Sequence, residues 1–295
     1  MRHLSGREYK LILDDLQKLG AQISSLNELR RALKESWFNR VRDVANCPDG
    51  QFEIDEGSFG LLRILYRIYR RLDPIILNKR LEKIAAIAHE QGQPGSYRKT
   101  RGELASTQYN QVLGALFEIN ILYAALQSCS SVELYPKAGE GGSEVEAKLT
   151  IDDKPVFIEA KALTPSQHDI APTYPGESRS HPYHSMIRQI HDALNEKLAQ
   201  EKQLHILSEK YPTVLFLALG FNADEISGPL GIESYFEDYQ SNVSSVLLFG
   251  SALCRNLIKI SHNKKSTFPL SLKEREIFEN TFYQVIAKDN GPDRK

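Results

Sequence analysis

The sequence predicts an α/β (α+β) protein with an all-helical N-terminal region and a second half in which strands and helices mix. Two observations carry this expectation. Through the first hundred residues apolar side chains recur at spacings of three and four with no alternating run between them, the pattern of amphipathic helices. Beyond residue 130 short β-branched runs bounded by turn residues take over, which is the pattern of strands. The chain has 295 residues, 41% hydrophobic and 25% charged, enough for one large domain or two ordinary ones. That apolar content, with a net charge of only −1, excludes a disordered chain.

Taken in order, Tyr9, Ile12, Leu16 and Leu19 mark a first helix, and Leu29, Leu33, Trp37 and Val41 mark a second. Ser25 and Asn27 are candidate N-caps for the second, and Cys47-Pro-Asp-Gly is its stop. A third helix is expected from Ser58 to Leu72, interrupted at Asp73-Pro74. A fourth runs through Ile84 and Ile87 to Gly92-Gln-Pro-Gly95, a cluster that reads as a linker. The domains are accordingly 1–95, helical, and 96–290, mixed, with 291–295 a frayed tail. In the second domain a helix from Leu104 to Leu126 precedes strands at 132–135, 145–151, 156–160, 213–219 and 246–249. Asp152-Asp-Lys-Pro155 joins the second and third strands as an antiparallel hairpin. The proline-rich segment Thr164–His181 reads as a loop, and a helix from His184 to Leu207 leads into the fourth strand.

Cys47, Cys129 and Cys254 form no CxxC pair, which argues against a disulfide framework or a cysteine zinc site. No apolar run reaches about 18 residues, and Met1-Arg-His-Leu-Ser-Gly-Arg lacks the apolar core of a signal peptide, so a cytoplasmic protein without membrane partners is expected.

The chemistry concentrates in Val145–Lys161. Side chains alternate along a strand, so Glu159 and Lys161 share one face, and Glu144, Glu146 and Lys148 share another strand's face. Pairing Ile151 with Val156 across the turn sets Glu146 opposite Lys161 and Lys148 opposite Glu159. Upstream, Glu118 interrupts an almost wholly apolar helix, where a charge calls for a partner. Hard cations such as Mg²⁺ take a few carboxylates plus water and phosphate oxygens. A metal so held supports phosphodiester hydrolysis, and an adjacent lysine supplies a point charge for water or phosphate.

A helical Glu, a strand acid, then Glu-x-Lys at the end of the next strand, within this order of elements, resembles the PD-(D/E)XK nuclease superfamily from about Leu104 to Gly250. The resemblance implies a restriction-endonuclease-like αβββαβ core with a mixed central sheet. It carries Glu118 onto the first-helix acid and Glu159 and Lys161 onto the Glu-x-Lys motif. Glu144 or Glu146 takes the strand acid, where the family usually has Asp. Gln189, or Arg188, takes the polar position on the helix after the motif. Glu146, Glu159 and the Ala160 carbonyl are the implied ligands of Mg²⁺ or Mn²⁺, with Glu118 orienting the metal through water and Lys161 holding the attacking water. The implied function is a metal-dependent nuclease, with DNA preferred over RNA on family grounds, in restriction, phage defence or repair. The alternative is a catalytically inactive nuclease-fold binding module.

A nucleic-acid surface is expected on the helical domain. Arg63, Arg67, Arg70 and Arg71 recur along one helix, followed by Lys79, Arg80 and Lys83, with Arg98, Lys99 and Arg101 extending the face. The same domain is a candidate surface for a homodimer or partner protein. Residues 1–130 hold 19 Lys+Arg against 15 Asp+Glu, whereas 131–295 hold 18 against 23. The near-neutral total thus hides a basic half and an acidic half. His168, His181, His184 and His191 match no zinc spacing, Gly139-Glu-Gly-Gly-Ser143 lacks the lysine and helix of a phosphate loop, and no Gly-x-Ser-x-Gly elbow occurs.

Overall fold

A computed structural model describes residues 14, 18, 20–23, 25–45, 73–106, 108–137, 144–163, 183–198, 202–219, 230–239, 241–250 and 257–285. The chain divides into two compact units, Met1–Ile119 and Asn120–Lys295.

The first unit is helical, with α1 (Asn27–Ala45), α2 (Pro74–Glu90), α3 (Pro94–Glu103) and the first half of α4 (Tyr109–Ser128). Helix α1 is kinked at Lys34, whose φ of 59° and ψ of 160° are not helical. Its Leu29, Leu33 and Trp37 are buried, as the periodicity predicts. Asp73-Pro74 starts α2 instead of merely breaking a helix. The Asp73 carboxylate accepts from the Ile75 and Ile76 N–H groups, and Pro74, with no N–H to leave unpaired, occupies the first turn.

The expected linker is a tight turn between two helices. Gly92 takes the left-handed φ of 71°, the Gly92 N–H donates to the His89 carbonyl and the Gln93 N–H to the Ala88 carbonyl, a Schellman closure of α2. Pro94 at once begins α3, a helix the glycines and proline conceal.

Inside this unit Glu28, 8% exposed, receives Arg31 Nη1 at 2.7 Å and Arg101 Nη1 at 3.1 Å. The Tyr97 hydroxyl donates to the Leu81 carbonyl at 3.0 Å beside them. Burial first, then the Glu28 carboxylate, raises the Tyr97 phenol well above its ordinary range.

The second unit is built on a six-stranded mixed sheet in sequential order: β1 (Val132–Leu134), β2 (Ala147–Ile151), β3 (Lys154–Ala162), β4 (Thr213–Ala218), β5 (Ser245–Phe249) and β6 (Leu257–His262). Strands β1, β2 and β3 form an antiparallel meander; β3, β4 and β5 are parallel; β6 returns antiparallel to β5. Every residue of β4 and β5 is buried, as expected of central parallel strands covered on both faces. On one face Leu215, Leu217, Val246 and Leu248 pack with Met186, Ile190 and Leu194 of α5 (Tyr183–Leu198) and with Ile232, Tyr235 and Phe236 of α7 (Ile232–Asp238). A short α6 (Gln203–Ser208) stands where the sequence predicts the end of a single longer helix. On the other face Phe216 stacks on Phe249 and on Phe282, the last residue of a π-helical turn, Ile277–Phe282, that follows α8 (Leu272–Glu276).

The hairpin register differs from the expected one by two residues. Ile151 pairs with Lys154 and Leu149 with Val156, because the turn is only Asp152-Asp153, with φ of 49° and 62°. Positive φ at both central residues is the I′ geometry that matches strand twist. Pro155 therefore lies inside β3, opposite Thr150. Its missing N–H costs nothing, since that side of the strand faces β4 and the β3–β4 ladder begins only at Phe157↔Thr213. A shift of two keeps every side chain on its face but changes its neighbour. Lys148 lies opposite Phe157 and pairs with Glu133, so the hairpin register does not set Lys148 opposite Glu159 or Glu146 opposite Lys161.

Candidate active site

Glu159 and Lys161 lie near the C-terminal end of β3, on the face covered by α5. Glu159 is 4% exposed in the middle of an apolar strand, so its charge requires a partner. Lys197, from the last turn of α5, donates to Glu159 Oε1. One residue earlier on that helix, Glu196 accepts from Lys161 Nζ at 2.7 Å. Strand Glu-x-Lys and helix Glu-Lys are thus cross-paired, Glu159 and Lys161 each answered by its opposite from α5.

Glu146, just before β2, completes the group. Burial acts to lower the Lys197 ammonium's pKa, but the Glu159 and then the Glu146 carboxylates outweigh it, and the net direction is up. The lysine is therefore a cation bonded to Glu159 and within electrostatic range of Glu146. Glu159 Oε2 is shut off from solvent and has no hydrogen-bond partner. The N–H groups of Phe157 and Leu163 both donate toward β4, so strand alternation turns the Ala160 carbonyl to the β2 side, past the last ladder pair at Ala147↔Ile158.

Glu144 is exposed, on an isolated bridge to Lys137, so of the two candidate strand acids Glu146 is the one within electrostatic range of Lys197. Glu118 belongs to the first unit, half-buried on α4, and accepts from Thr100 Oγ1 at 2.6 Å. Gln189 lies on α5 eight residues before Lys197, on the stripe that also carries Ala193, and is half-buried; Arg188 is exposed. Lys79, Arg98 and Lys99 are exposed on the first unit. Two of their expected companions are not surface cations: Arg80 is 2% exposed, and Arg101 is committed to Glu28. Arg80 lies on a helix face turned into the helical core, and Arg101 is half-buried. Arg63, Arg67, Arg70, Arg71, Cys47, Cys254, His168, His181, the Gly139–Ser143 stretch, the 164–181 loop and the 291–295 tail lie outside the described residues. His191 packs edge-on against Tyr235, consistent with a packing role.

Lys197 is inconspicuous in the sequence, because a lysine closing an amphipathic helix has the ordinary look of a solvated residue. The usable signal is helical period, since Gln189, Ala193 and Lys197 recur every fourth residue. A second polar chain is equally hidden. Ser245 Oγ lies 2.6 Å from His262 Nδ1, and His262 Nε2 lies 2.8 Å from Glu279 Oε1. The three residue types are those of a hydrolase triad, but Ser245 is fully buried and its hydroxyl donates to the Ser244 carbonyl at 2.7 Å. With no access for a substrate to that hydroxyl, the chain ties β5, β6 and the π-helical turn together.

Among the described residues no group of three or more His, Cys, Asp or Glu side chains converges, and no helix is long and apolar enough to cross a membrane. No family model, curated protein or solved structure matches the chain.

Proposed function

We propose that the chain is a metal-dependent nuclease of PD-(D/E)XK type, acting on DNA in preference to RNA. One observation carries the reading: the buried Glu159 pairs with Lys197, a cation that also feels the Glu146 carboxylate beside the other arm of the β2–β3 hairpin, and the second oxygen of Glu159 is unpartnered. The antiparallel meander, the helical crossover and the parallel fourth strand support it as the element order the resemblance implies. Glu146, Glu159 and the Ala160 carbonyl are the groups that would hold Mg²⁺ or Mn²⁺, an all-oxygen set suited to a hard cation. A divalent ion there supplies charge stabilisation to phosphoryl oxygens and a more acidic water. Lys161, half-buried with its ammonium 2.7 Å from an exposed carboxylate, exchanges Glu196 for a scissile phosphate or its attacking water. Gln189 lines the same helix stripe. Restriction, phage defence and repair are the biological settings this chemistry serves.

The second reading is a nuclease-fold binding module without catalysis, favoured by Lys197 already occupying one oxygen of Glu159. One experiment separates the two. The protein is incubated with supercoiled, linear and single-stranded DNA and with RNA, under Mg²⁺, Mn²⁺ or EDTA, beside Lys161→Ala. Cleavage that needs a divalent ion and falls at least about 100-fold in Lys161→Ala is expected. Absence of cleavage under either ion, or cleavage untouched by Lys161→Ala, overturns the enzymatic reading.

A further inference from the structure

We propose that Lys197 is a tethered cation that occupies the carboxylate site until a divalent ion displaces it, so that it sets the ion concentration at which the site loads. This rests on the reading of Glu146 and Glu159 as metal ligands. The lysine comes from a helix and not from the hairpin: α5 buries Ala193, Leu194 and Leu198 in the core, and Lys197 of the same turn donates to Glu159. It donates to Glu159 Oε1, one of the two oxygens that carboxylate offers a metal, and it lies within electrostatic range of Glu146. Two cations crowded onto one buried carboxylate disfavour each other, because their repulsion is only partly screened there. The unpartnered Glu159 Oε2 shows that one ammonium does not satisfy the site. A lysine offers three donors on a flexible stem, and a divalent ion offers twice the charge and several coordination positions, so the exchange is built into the donor set.

The displaced ammonium has a nearby destination. Glu196 already acts electrostatically on Lys197, and it is 55% exposed, so it can take a second cation without further burial. Sharing Glu196 loosens its hold on Lys161. Loading of the ion and release of Lys161 are then one event, which ties the readiness of the Glu-x-Lys lysine to occupancy of the carboxylates.

The test is a Mn²⁺ titration of the full chain followed by the loss of the free-ion electron paramagnetic resonance signal, in the wild type, Lys197→Met, Lys197→Gln and Glu159→Gln. Lys197→Met and Lys197→Gln are expected to bind Mn²⁺ at least about fivefold tighter than the wild type, the scale of a coupling between competing occupants. Glu159→Gln is expected to bind none. Equal or weaker affinity in the Lys197 variants overturns the proposal while leaving the ligand assignment standing. No binding by the wild type or either Lys197 variant overturns the ligand assignment and the proposal with it. Melting curves give an independent reading: the Lys197 variants should melt lower than the wild type in EDTA and gain more from Mn²⁺, and an equal gain overturns the proposal.

Discussion

Glu159 and Glu233 both pair with a lysine, but only the first is buried, and the physics of the two pairs differs accordingly. Removing one partner of the Glu159–Lys197 pair leaves a charge stranded beneath α5, a change that typically costs about 3–5 kcal/mol unless another cation takes its place. Glu233 is half-exposed, accepting from Lys259 Nζ at 2.8 Å and Ser261 Oγ at 2.9 Å. Burial works to raise its pKa, and the hydrogen bonds from Lys259, its own backbone and Ser261 together lower it below the ordinary carboxylate value. A lowered folded-state pKa contributes stability that is present at neutral pH and fades as the pH falls through the carboxylate range. Glu233→Gln should therefore lose about 0.5 kcal/mol at pH 7 and nothing near pH 3, checked by urea midpoints across that interval. At this scale the sequence reveals Glu159 and Lys161, because a charged pair at alternate positions of an apolar strand is conspicuous. It conceals Lys197 and Glu196, whose role depends on where a helix end lands over the sheet.

At the scale of the element, the hairpin turn decides which charges meet. A four-residue loop through Pro155 and the two-residue turn at Asp152-Asp153 present the same faces, so the face assignment of Glu146, Glu159 and Lys161 survives while the neighbours change. The pattern of alternation fixes faces, but register follows from backbone angles that a sequence of two aspartates does not announce. Asp153, at φ 62°, pays for a conformation glycine adopts freely. Asp153→Gly should stabilise the protein by about 0.5 kcal/mol, read from its urea midpoint, and a drop in stability would show that the Asp153 side chain contributes to the turn. Strand β6 is illegible in the sequence for a related reason. Leu257-Ile-Lys-Ile-Ser-His alternates poorly, because as an outer strand it is mostly half-buried on both faces. Helix α3 is hidden by Pro94 and Gly95, which punctuate a loop as readily as they open a helix.

At the scale of the whole molecule, the charge asymmetry read from the sequence has a partial structural counterpart. The first unit exposes Lys79, Arg98 and Lys99 but buries Arg80 and ties the half-buried Arg101 to Glu28, so a tally of cations overstates what a polyanion can reach. Reversing Lys79, Arg98 and Lys99 to Glu should flatten the dependence of DNA affinity on salt by about 0.9 in logarithmic slope for each phosphate they cease to neutralise. Fluorescence anisotropy across a NaCl series measures this, and an unchanged slope removes those residues from the interface. The class of fold is legible because helical and strand periodicities occupy different halves of the chain. The burial of particular cations is not, since it depends on which face of each helix is covered.

Among the described residues the sheet ends in β1, three residues long, and in β6, which carries Lys259 and pairs with β5 through a register irregularity at Leu248/Phe249. A strand that short presents few free amides, and a kinked border bearing a lysine resists a flat neighbour. Neither border is a good template for docking a strand from another molecule. For the described sheet this disfavours edge-to-edge growth of the kind that seeds fibrils.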